Sequence, residues 1–169
     1  KFDKIAGLRP AFQKDGTVTA ANASKINDGA AALVLMSAEK AAALKAPVLA
    51  TVRAFESAAR KPVEFTTAPA DVIPKVLAKA GLGLGDIDLF EVNEAFASVV
   101  LHFMEETGVS HDRVNVNGGA IAMGHPIGAT GDILIGTLVD ELHRTGAKRG
   151  VATLCVGLGM GVATLIERV

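Results

Sequence analysis

The run Cys-Val-Gly-Leu-Gly-Met-Gly begins at Cys155, directly after an apolar stretch that predicts a strand. Its glycines would expose the end of that strand and leave backbone N–H groups, such as that of Gly157, facing an oxyanion. A cysteine exposed there could be a catalyst. A lone cysteine beside an apolar strand is more often a small core residue, so both interpretations of Cys155 stay open.

A second candidate, His125, lies in the stretch from Asn115 to Gly131, which reads NVNGGAIAMGHPIGATG and contains five glycines. So many glycines indicate close backbone packing or several turns with positive φ. A histidine fixed in such a loop can donate a hydrogen bond to a carbonyl oxygen or move a proton near neutral pH. The alternative is a loop histidine bonded to a nearby carbonyl. Three other histidines have charged neighbours and are predicted to lie on the surface: His102, His111 and His143.

A third stretch, Asn93-Glu94-Ala95-Phe96-Ala97, lies where a predicted strand meets a predicted helix. In α/β sheets the carboxyl ends of strands open onto the ligand crevice, which makes Asn93 a candidate site residue. Asn93 is also well placed to cap the helix that follows. On the residues of this stretch alone, capping is the favoured interpretation.

The elements that must position these residues alternate between strands and helices. Periodicity and turn signals predict strands at 17–19, 48–58, 88–92, 114–116, 151–154 and 162–166. Helices are predicted at 38–44, 70–80, 94–107 and 133–145, and 30–36 reads as a buried strand or the end of a buried helix. Ser37 is the expected helix cap, and turns are predicted at 9–10, 15–16 and 27–29. This order favours an α/β layer sandwich with a mostly parallel sheet that closes in a hairpin.

Composition excludes several classes of function. The 169 residues fit one compact domain, and the 17 basic and 18 acidic residues are well mixed, so no basic stripe predicts nucleic-acid binding. No apolar run reaches membrane-spanning length. The single cysteine excludes a disulfide within the chain and favours a reducing, cytoplasmic compartment. Because the chain begins at Lys1 without Met, it reads as a fragment, and an organelle stays open.

Other glycine-rich and ligand motifs fit poorly. The run 157–161 suggests a dinucleotide loop, but a strand is predicted after it where that loop needs a helix. The run 119–124 has the spacing of a phosphate loop, yet His125-Pro126 stands where Lys and Ser or Thr should be. No cluster of potential ligands has the spacing of a metal site, so no metal is expected.

Together and in this order, NEAFA, GGAIAMGHPIGATG and CVGLGMG resemble the three carboxyl-terminal motifs of the thiolase family. The segment 20–31, AANASKINDGAA, is similar to the stretch of that family that borders the coenzyme A tunnel. The resemblance implies a βαβαβαββ layered sandwich, which is half of the αβαβα thiolase fold. It also implies that 1–25 forms the end of the lid region and the tunnel border, and that 26–169 forms the carboxyl-terminal domain.

The resemblance further implies an acyltransferase that catalyses the reversible Claisen condensation or thiolysis of 3-ketoacyl-CoA with acetyl-CoA. Its nucleophilic cysteine would belong to the missing amino-terminal half, because Cys155 matches the second cysteine of the family. In that scheme Cys155 takes and returns the α-proton. His125 polarises the thioester oxygen and activates the nucleophile, and Asn93 holds a water beside it. The N–H of Gly157 stabilises the oxyanion of the acyl-enzyme.

Four residues resemble those that line the pantetheine tunnel of the family: Ser24, Phe12, Ala95 and Phe96. The implied partners are acyl-CoA and acetyl-CoA as substrates, the amino-terminal half, and further copies in a homodimer or homotetramer. No permanently bound cofactor is implied.

Two other functions compete with that of a thiolase. Ketoacyl synthases of the same superfamily carry histidine in place of the Cys-x-Gly cysteine, so Cys155 argues against them. A non-catalytic acyl-CoA-binding or scaffold protein would fit a chain without a nucleophile. Such a protein has no need to keep Cys155 and His125 together, which favours the enzyme.

Overall fold

The computed structural model describes residues 2–169 and contains a four-stranded sheet in the order β1-β4-β3-β2. Its strands are β1 (Ala50–Ala59), β2 (Leu89–Val92), β3 (Arg149–Val156) and β4 (Met160–Arg168). The α-helices are α1 (Ala38–Leu44), α2 (Ala68–Ala80), α3 (Ala97–Thr107), α4 (Ala120–Met123) and α5 (Thr130–Thr145). No helix in residues 2–169 is both long enough and apolar enough to cross a membrane.

The direction of the strands differs from the prediction. β2 and β3 are parallel, but β4 runs antiparallel to both β3 and β1. The prediction of a mostly parallel sheet is therefore wrong, because the closing hairpin places β4 in the interior of the sheet, where it reverses two of the pairings.

The strand predicted at 114–116 is reduced to a single parallel bridge between Val114 and Phe90. Asn115 has φ +49°, which ends the extended backbone. Its side chain instead continues the pairing, because Oδ1 accepts from Val92 N at 2.7 Å and Nδ2 donates to Val92 O at 2.8 Å. With this bridge counted as a strand, β1 to β4 and helices α2, α3 and α5 follow the order βαβαβαββ.

The sheet lies between two layers of helices, with an apolar cluster on each face. Helices α2 and α3 pack on one face of the sheet with a cluster that includes Val72, Phe103 and Leu165. Helix α5 packs on the other face through Leu134, Leu138, Val139 and Leu142, the four residues predicted to face inward. Phe90 and Val92 point toward the first cluster, so the alternating positions of β2 face α5.

Helix ends were largely predictable. Ser37 caps α1, since its Oγ accepts from Lys40 N at 3.2 Å. Gly81, Gly108 and Gly146 end α2, α3 and α5 with φ values of 68°, 69° and 74°, which favour glycine. Helix α3, however, begins at Ala97, three residues later than predicted.

Part of the amino-terminal prediction is wrong. Residues 30–36 form neither a strand nor a helix, and Val34 and Leu35 are 85% and 72% exposed. A strand needs a neighbour to pair with, and the four-strand sheet within residues 2–169 lies elsewhere. Residues 17–19 are not a strand either. The turn at 15–16 is confirmed by the bond from Gly16 N to Gln13 O, whereas 9–10 and 27–29 form no turn.

Candidate active site

Asn93 follows directly after the last residue of β2 and is buried. Its N–H donates to Thr153 O on the parallel strand β3 at 3.0 Å, so the backbone of Asn93 is held at the carboxyl ends of the two strands. Asn93 does not cap α3, because the residue before that helix is Phe96 and the helix has no side-chain cap. The capping interpretation is therefore wrong.

The amide of Asn93 faces His125 instead. Its Nδ2 lies 3.3 Å from His125 Nε2, and its Oδ1 is buried without a hydrogen-bond partner in residues 2–169. A buried, unpaired amide oxygen costs free energy in the folded chain, roughly 1–3 kcal/mol. A water or a substrate group at this place would supply the missing hydrogen bond.

The ring of His125 is fixed from its other side by helix α5. Its Nδ1 lies 2.6 Å from Thr130 Oγ1, and that hydroxyl also donates to Pro126 O at 2.9 Å. Burial lowers the pKa of His125. The imidazole is therefore neutral near pH 7, and its Nε2 is available either to accept a proton or to donate a hydrogen bond.

The backbone of His125 is set by close packing against the segment 25–29. Its N–H donates to Lys25 O at 3.1 Å. Gly124 has φ +102°, and a β-carbon there would overlap the amide of Asn27. A β-carbon at Gly29 would overlap the ring of Pro126. The glycine that predicted a turn at 27–29 is thus needed for the close approach of two segments.

Glu94 connects the stretch 93–97 to the glycine-rich loop that carries His125. This contact was not predicted from the sequence. Glu94 Oε2 accepts from Ile121 N at 3.0 Å, and a β-carbon at Gly119 would overlap the carboxylate of Glu94. Thr130, which bonds His125, was missed as well. The glycine pair 118–119 could have indicated that another group, here Glu94, packs closely against the loop. No comparable pattern in the sequence indicates that Thr130, five residues after His125, bonds its ring.

Cys155 lies at the carboxyl end of β3, half-buried and paired with Gly161 of β4. Because Val92 pairs with Thr153, Asn93 and Cys155 follow at the same edge of the sheet. No hydrogen bond joins the thiol to Asn93 or His125 within the described part of the chain. Burial raises the pKa of the Cys155 thiol, which is therefore protonated near pH 7.

The turn after Cys155 is tight at its far end and open at Gly157. Leu158 has φ 68° and Gly159 has φ 92°, and a β-carbon at Gly159 would overlap Arg60 O. Gly157, in contrast, is exposed, and a β-carbon there would meet nothing within 4 Å. The strand that follows this turn is β4, as predicted.

Three of the four predicted tunnel residues lie together. Ser24 N donates to Ala95 O at 3.0 Å, and Ala23 forms an antiparallel bridge with Phe96. The bridge explains the late start of α3, because Phe96 has an extended backbone, with φ −143° and ψ 153°, where it pairs with this segment. Phe12 lies apart from them in a preceding loop and is 74% exposed.

The remaining histidines lie away from this site. His111 and His143 are exposed, and His143 Nε2 lies 2.9 Å from Leu49 O. His102 is half-buried and its Nε2 is enclosed, so the prediction of a surface residue is wrong there. Among residues 2–169, no group of His, Cys, Asp or Glu could hold a metal ion.

Comparisons with known proteins match nearly the whole chain to one family. Residues 46–168 match the family described as "Thiolase, C-terminal domain", and residues 1–39 match "Thiolase, N-terminal domain". An acetyl-CoA acetyltransferase of Chromobacterium violaceum is 53% identical over 98% of this chain. A 3-ketoacyl-CoA thiolase of Bacillus subtilis is 48% identical over 98% of it.

A solved structure shows the same fold. The crystal structure of an acetyl-CoA acetyltransferase from Bacillus anthracis superimposes with a TM-score of 0.95 and 47% identity over the whole chain. This chain covers 43% of that protein and 42% of the two relatives above. With a family match over more than half of its residues, the chain belongs to the thiolase family.

Proposed function

We propose that the protein carrying this chain is a thiolase that condenses acyl-CoA with acetyl-CoA and cleaves 3-ketoacyl-CoA. One observation carries the proposal: the amide of Asn93 lies 3.3 Å from His125 Nε2, at the edge of the sheet where the strand of Cys155 also ends. An acyl transfer at a thioester needs a donor to its oxygen and a group that moves the α-proton, and this edge supplies both residue types.

The coenzyme A arm would lie along the segment 22–25. This segment bonds Ala95 through Ser24 N and accepts from His125 N through Lys25 O. A pantetheine chain following it would therefore end beside His125. Ser24, Ala95 and Phe96 line this path, and Phe12 would join them from the lid region that residues 1–25 help to form.

Condensation would proceed through an acyl-cysteine on the amino-terminal half of the enzyme. Cys155, as a thiolate, takes a proton from the α-carbon of acetyl-CoA. The resulting enolate attacks the acyl carbonyl, so that a carbon–carbon bond forms and the bond to the nucleophilic sulfur breaks. Because burial raises the pKa of Cys155, a neighbouring group or the bound substrate must favour its thiolate during this step.

Hydrogen-bond donors would stabilise both oxyanions of this reaction. His125 Nε2 and a water held by Asn93 would face the enolate oxygen, and the N–H of Gly157 would face the oxygen of the acyl-enzyme. Removing one such donor costs roughly 3 kcal/mol of transition-state stabilisation. The enzyme would use coenzyme A thioesters as substrates without a permanently bound cofactor.

The amino-terminal half of the thiolase fold is the expected partner of the exposed apolar residues in 26–36. A homodimer or homotetramer in the cytoplasm is the expected assembly. The exposure of Val34 and Leu35 supports the proposal that another polypeptide surface covers them, since proteins in water rarely expose adjacent large apolar residues without a partner.

The experiment is a pair of assays on the intact protein from its natural source: its mass, and its thiolysis of acetoacetyl-CoA. A mass more than twice the 17.3 kDa of this chain, with activity that a thiol alkylator blocks, is expected. A mass equal to this chain with no activity and no partner polypeptide would instead indicate an acyl-CoA-binding protein.

Replacing Cys155 by alanine separates the two half-reactions. Cys155→Ala should lower condensation by roughly 10²- to 10⁴-fold, the usual contribution of a positioned acid or base, and leave part of the acylation. Condensation at the wild-type rate would refute the proton-transfer role of Cys155. Thermal unfolding of the variant is the control for an intact fold.

A further inference from the structure

The hydroxyl of Thr130 contacts the ring nitrogen of His125 that faces away from Asn93. Oγ1 lies 2.6 Å from Nδ1, whereas Nε2 faces the amide of Asn93 at 3.3 Å. Thr130 is buried in the first turn of α5. Bulk water therefore has little access to this contact, and Thr130 is the hydrogen-bond partner of Nδ1.

A hydroxyl can serve either state of that nitrogen, because it carries one proton and also accepts. When it donates to Pro126 O, at 2.9 Å, it accepts from Nδ1–H, and Nε2 is then unprotonated. When it rotates to donate to Nδ1, Nε2 carries the proton and can donate to a substrate oxygen but not to Asn93 Nδ2, which is itself a donor. Pro126 O stays bonded in both cases, since it also accepts from Ala129 N at 2.8 Å and Thr130 N at 3.0 Å.

A carboxylate or a carbonyl oxygen in the place of Thr130 would behave differently. Such a group only accepts, so it would hold the proton on Nδ1. Nε2 could then donate a hydrogen bond only from the charged imidazolium. Burial lowers the pKa of His125 and disfavours that charged form.

We propose that Thr130 is a positioning residue that allows neutral His125 to adopt both tautomers. With Nε2 unprotonated, the ring accepts a proton from the nucleophile; with Nε2 protonated, it donates to the thioester oxygen. Interconversion adds a proton to one ring nitrogen and removes one from the other, so no net proton is consumed. The inference rests on the proposed thiolase function, which gives His125 both tasks.

The test compares the intact enzyme with its Thr130→Val and Thr130→Ser variants. Valine replaces the hydroxyl by a methyl group of similar size, whereas serine keeps the hydroxyl and loses a methyl. ¹⁵N NMR of the labelled ring of His125 reports the tautomers directly. Thiolysis and condensation are measured on the same samples.

In the wild type and in Thr130→Ser, both ring nitrogens are expected to show shifts averaged between the protonated and unprotonated values. In Thr130→Val the two shifts should move in opposite directions, toward one tautomer. The kcat of both reactions should fall roughly 10- to 100-fold, as found for groups that orient metal-binding histidines. KM should stay within about twofold, since Thr130 does not reach the substrate.

Unchanged shifts and kcat in Thr130→Val, or equal losses in the serine and valine variants, would overturn the inference. If Thr130→Val does not fold, the wild-type ring decides: averaged shifts support the inference and one locked tautomer overturns it. A wild-type enzyme without thiolysis activity would refute the proposed function, and the ring shifts would still decide the role of Thr130.

Discussion

The two ends of this chain differ in how they use their apolar residues. From residue 50 onward, large side chains such as Phe103 and Leu165 are enclosed between the sheet and its helices. In residues 2–37, Phe12, Ile26 and Leu35 are exposed, and the backbone forms one short 3-10 helix, Phe2–Gly7, but no α-helix and no strand pair of its own. Similar apolar content thus gives a packed layer in one region and an open surface in the other.

The difference lies in the availability of partners. The carboxyl-terminal region supplies both faces of its own core, whereas residues 1–39 match the amino-terminal domain of the family. Among the described residues 2–169, three backbone hydrogen bonds nevertheless hold the two regions together, at Asn22, Ser24 and Lys25. The candidate tunnel residue Ser24 and the candidate catalytic residue His125 therefore meet where the two regions meet.

The largest expected effect tests the packed region. Phe103→Ala should lower the free energy of unfolding by about 3–5 kcal/mol, because Phe103 is fully enclosed and its ring packs against that of Phe90, with the centroids 5.6 Å apart. Urea unfolding followed by circular dichroism measures it. Leu101→Ala on the same helix is the control, since Leu101 is 61% exposed and its change should be about 0.5 kcal/mol or less. Equal costs would contradict the idea of a packed core at α3.

A buried carboxyl group in the same region predicts a pH dependence. Burial, with Glu94 and Glu141 nearby, raises the pKa of Glu91 from 4.5 to about 8. Between these values the folded chain holds a proton that the unfolded chain has released, so stability falls as pH rises. The expected loss is a few kcal/mol, and Glu91→Gln should remove it.

Urea unfolding of the wild type and of Glu91→Gln at several pH values between about 5 and 8 measures that slope. Glu105→Gln, at an exposed position of α3, is the matched control and should keep the wild-type slope. A wild-type slope in Glu91→Gln would show that Glu91 does not hold the proton.

A smaller effect is expected in the loop that carries His125. Gly119→Ala should cost about 1–3 kcal/mol, because the new β-carbon would overlap the carboxylate of Glu94. It should also lower thiolysis by the intact enzyme, since Glu94 fixes Ile121 ahead of His125. Gly128→Ala is the matched control in the same loop, as a β-carbon there meets nothing within 4 Å. Similar changes in both variants would contradict a specific role for the Glu94 contact.

Local patterns were enough to predict much of the carboxyl-terminal region. The apolar stripe of α5, the glycines that end three helices and the β3–β4 hairpin are all encoded by nearby residues. Ser24 and Ala95, which the resemblance assigned to the tunnel, share a backbone hydrogen bond, and their role in binding pantetheine stays a prediction. The catalytic roles of Cys155 and His125 stay predictions.

Features that depend on distant segments were not predictable. Helix α3 starts late because Phe96 pairs with Ala23, more than seventy residues away in the sequence. Asn115 uses its side chain to complete a strand pairing, and no periodicity indicates this. The segment 30–36 has the composition of a buried element, yet composition does not tell which polypeptide covers it.

The smallest expected change in unfolding free energy tests whether the exposed apolar residues before α1 form a surface for another domain. Leu35→Ser should change the free energy of unfolding of this chain by about 0.5 kcal/mol or less, since Leu35 is already 72% exposed. In the intact protein the same substitution should cost about 1.5–3 kcal/mol, the value of fully burying a leucine side chain. Leu101→Ser, outside the segment that matches the amino-terminal domain, should give the same small change in both contexts. If Leu35→Ser were equally harmless in the intact protein, the apolar residues before α1 would not be a surface for the amino-terminal domain, and the difference between the two regions would need another cause.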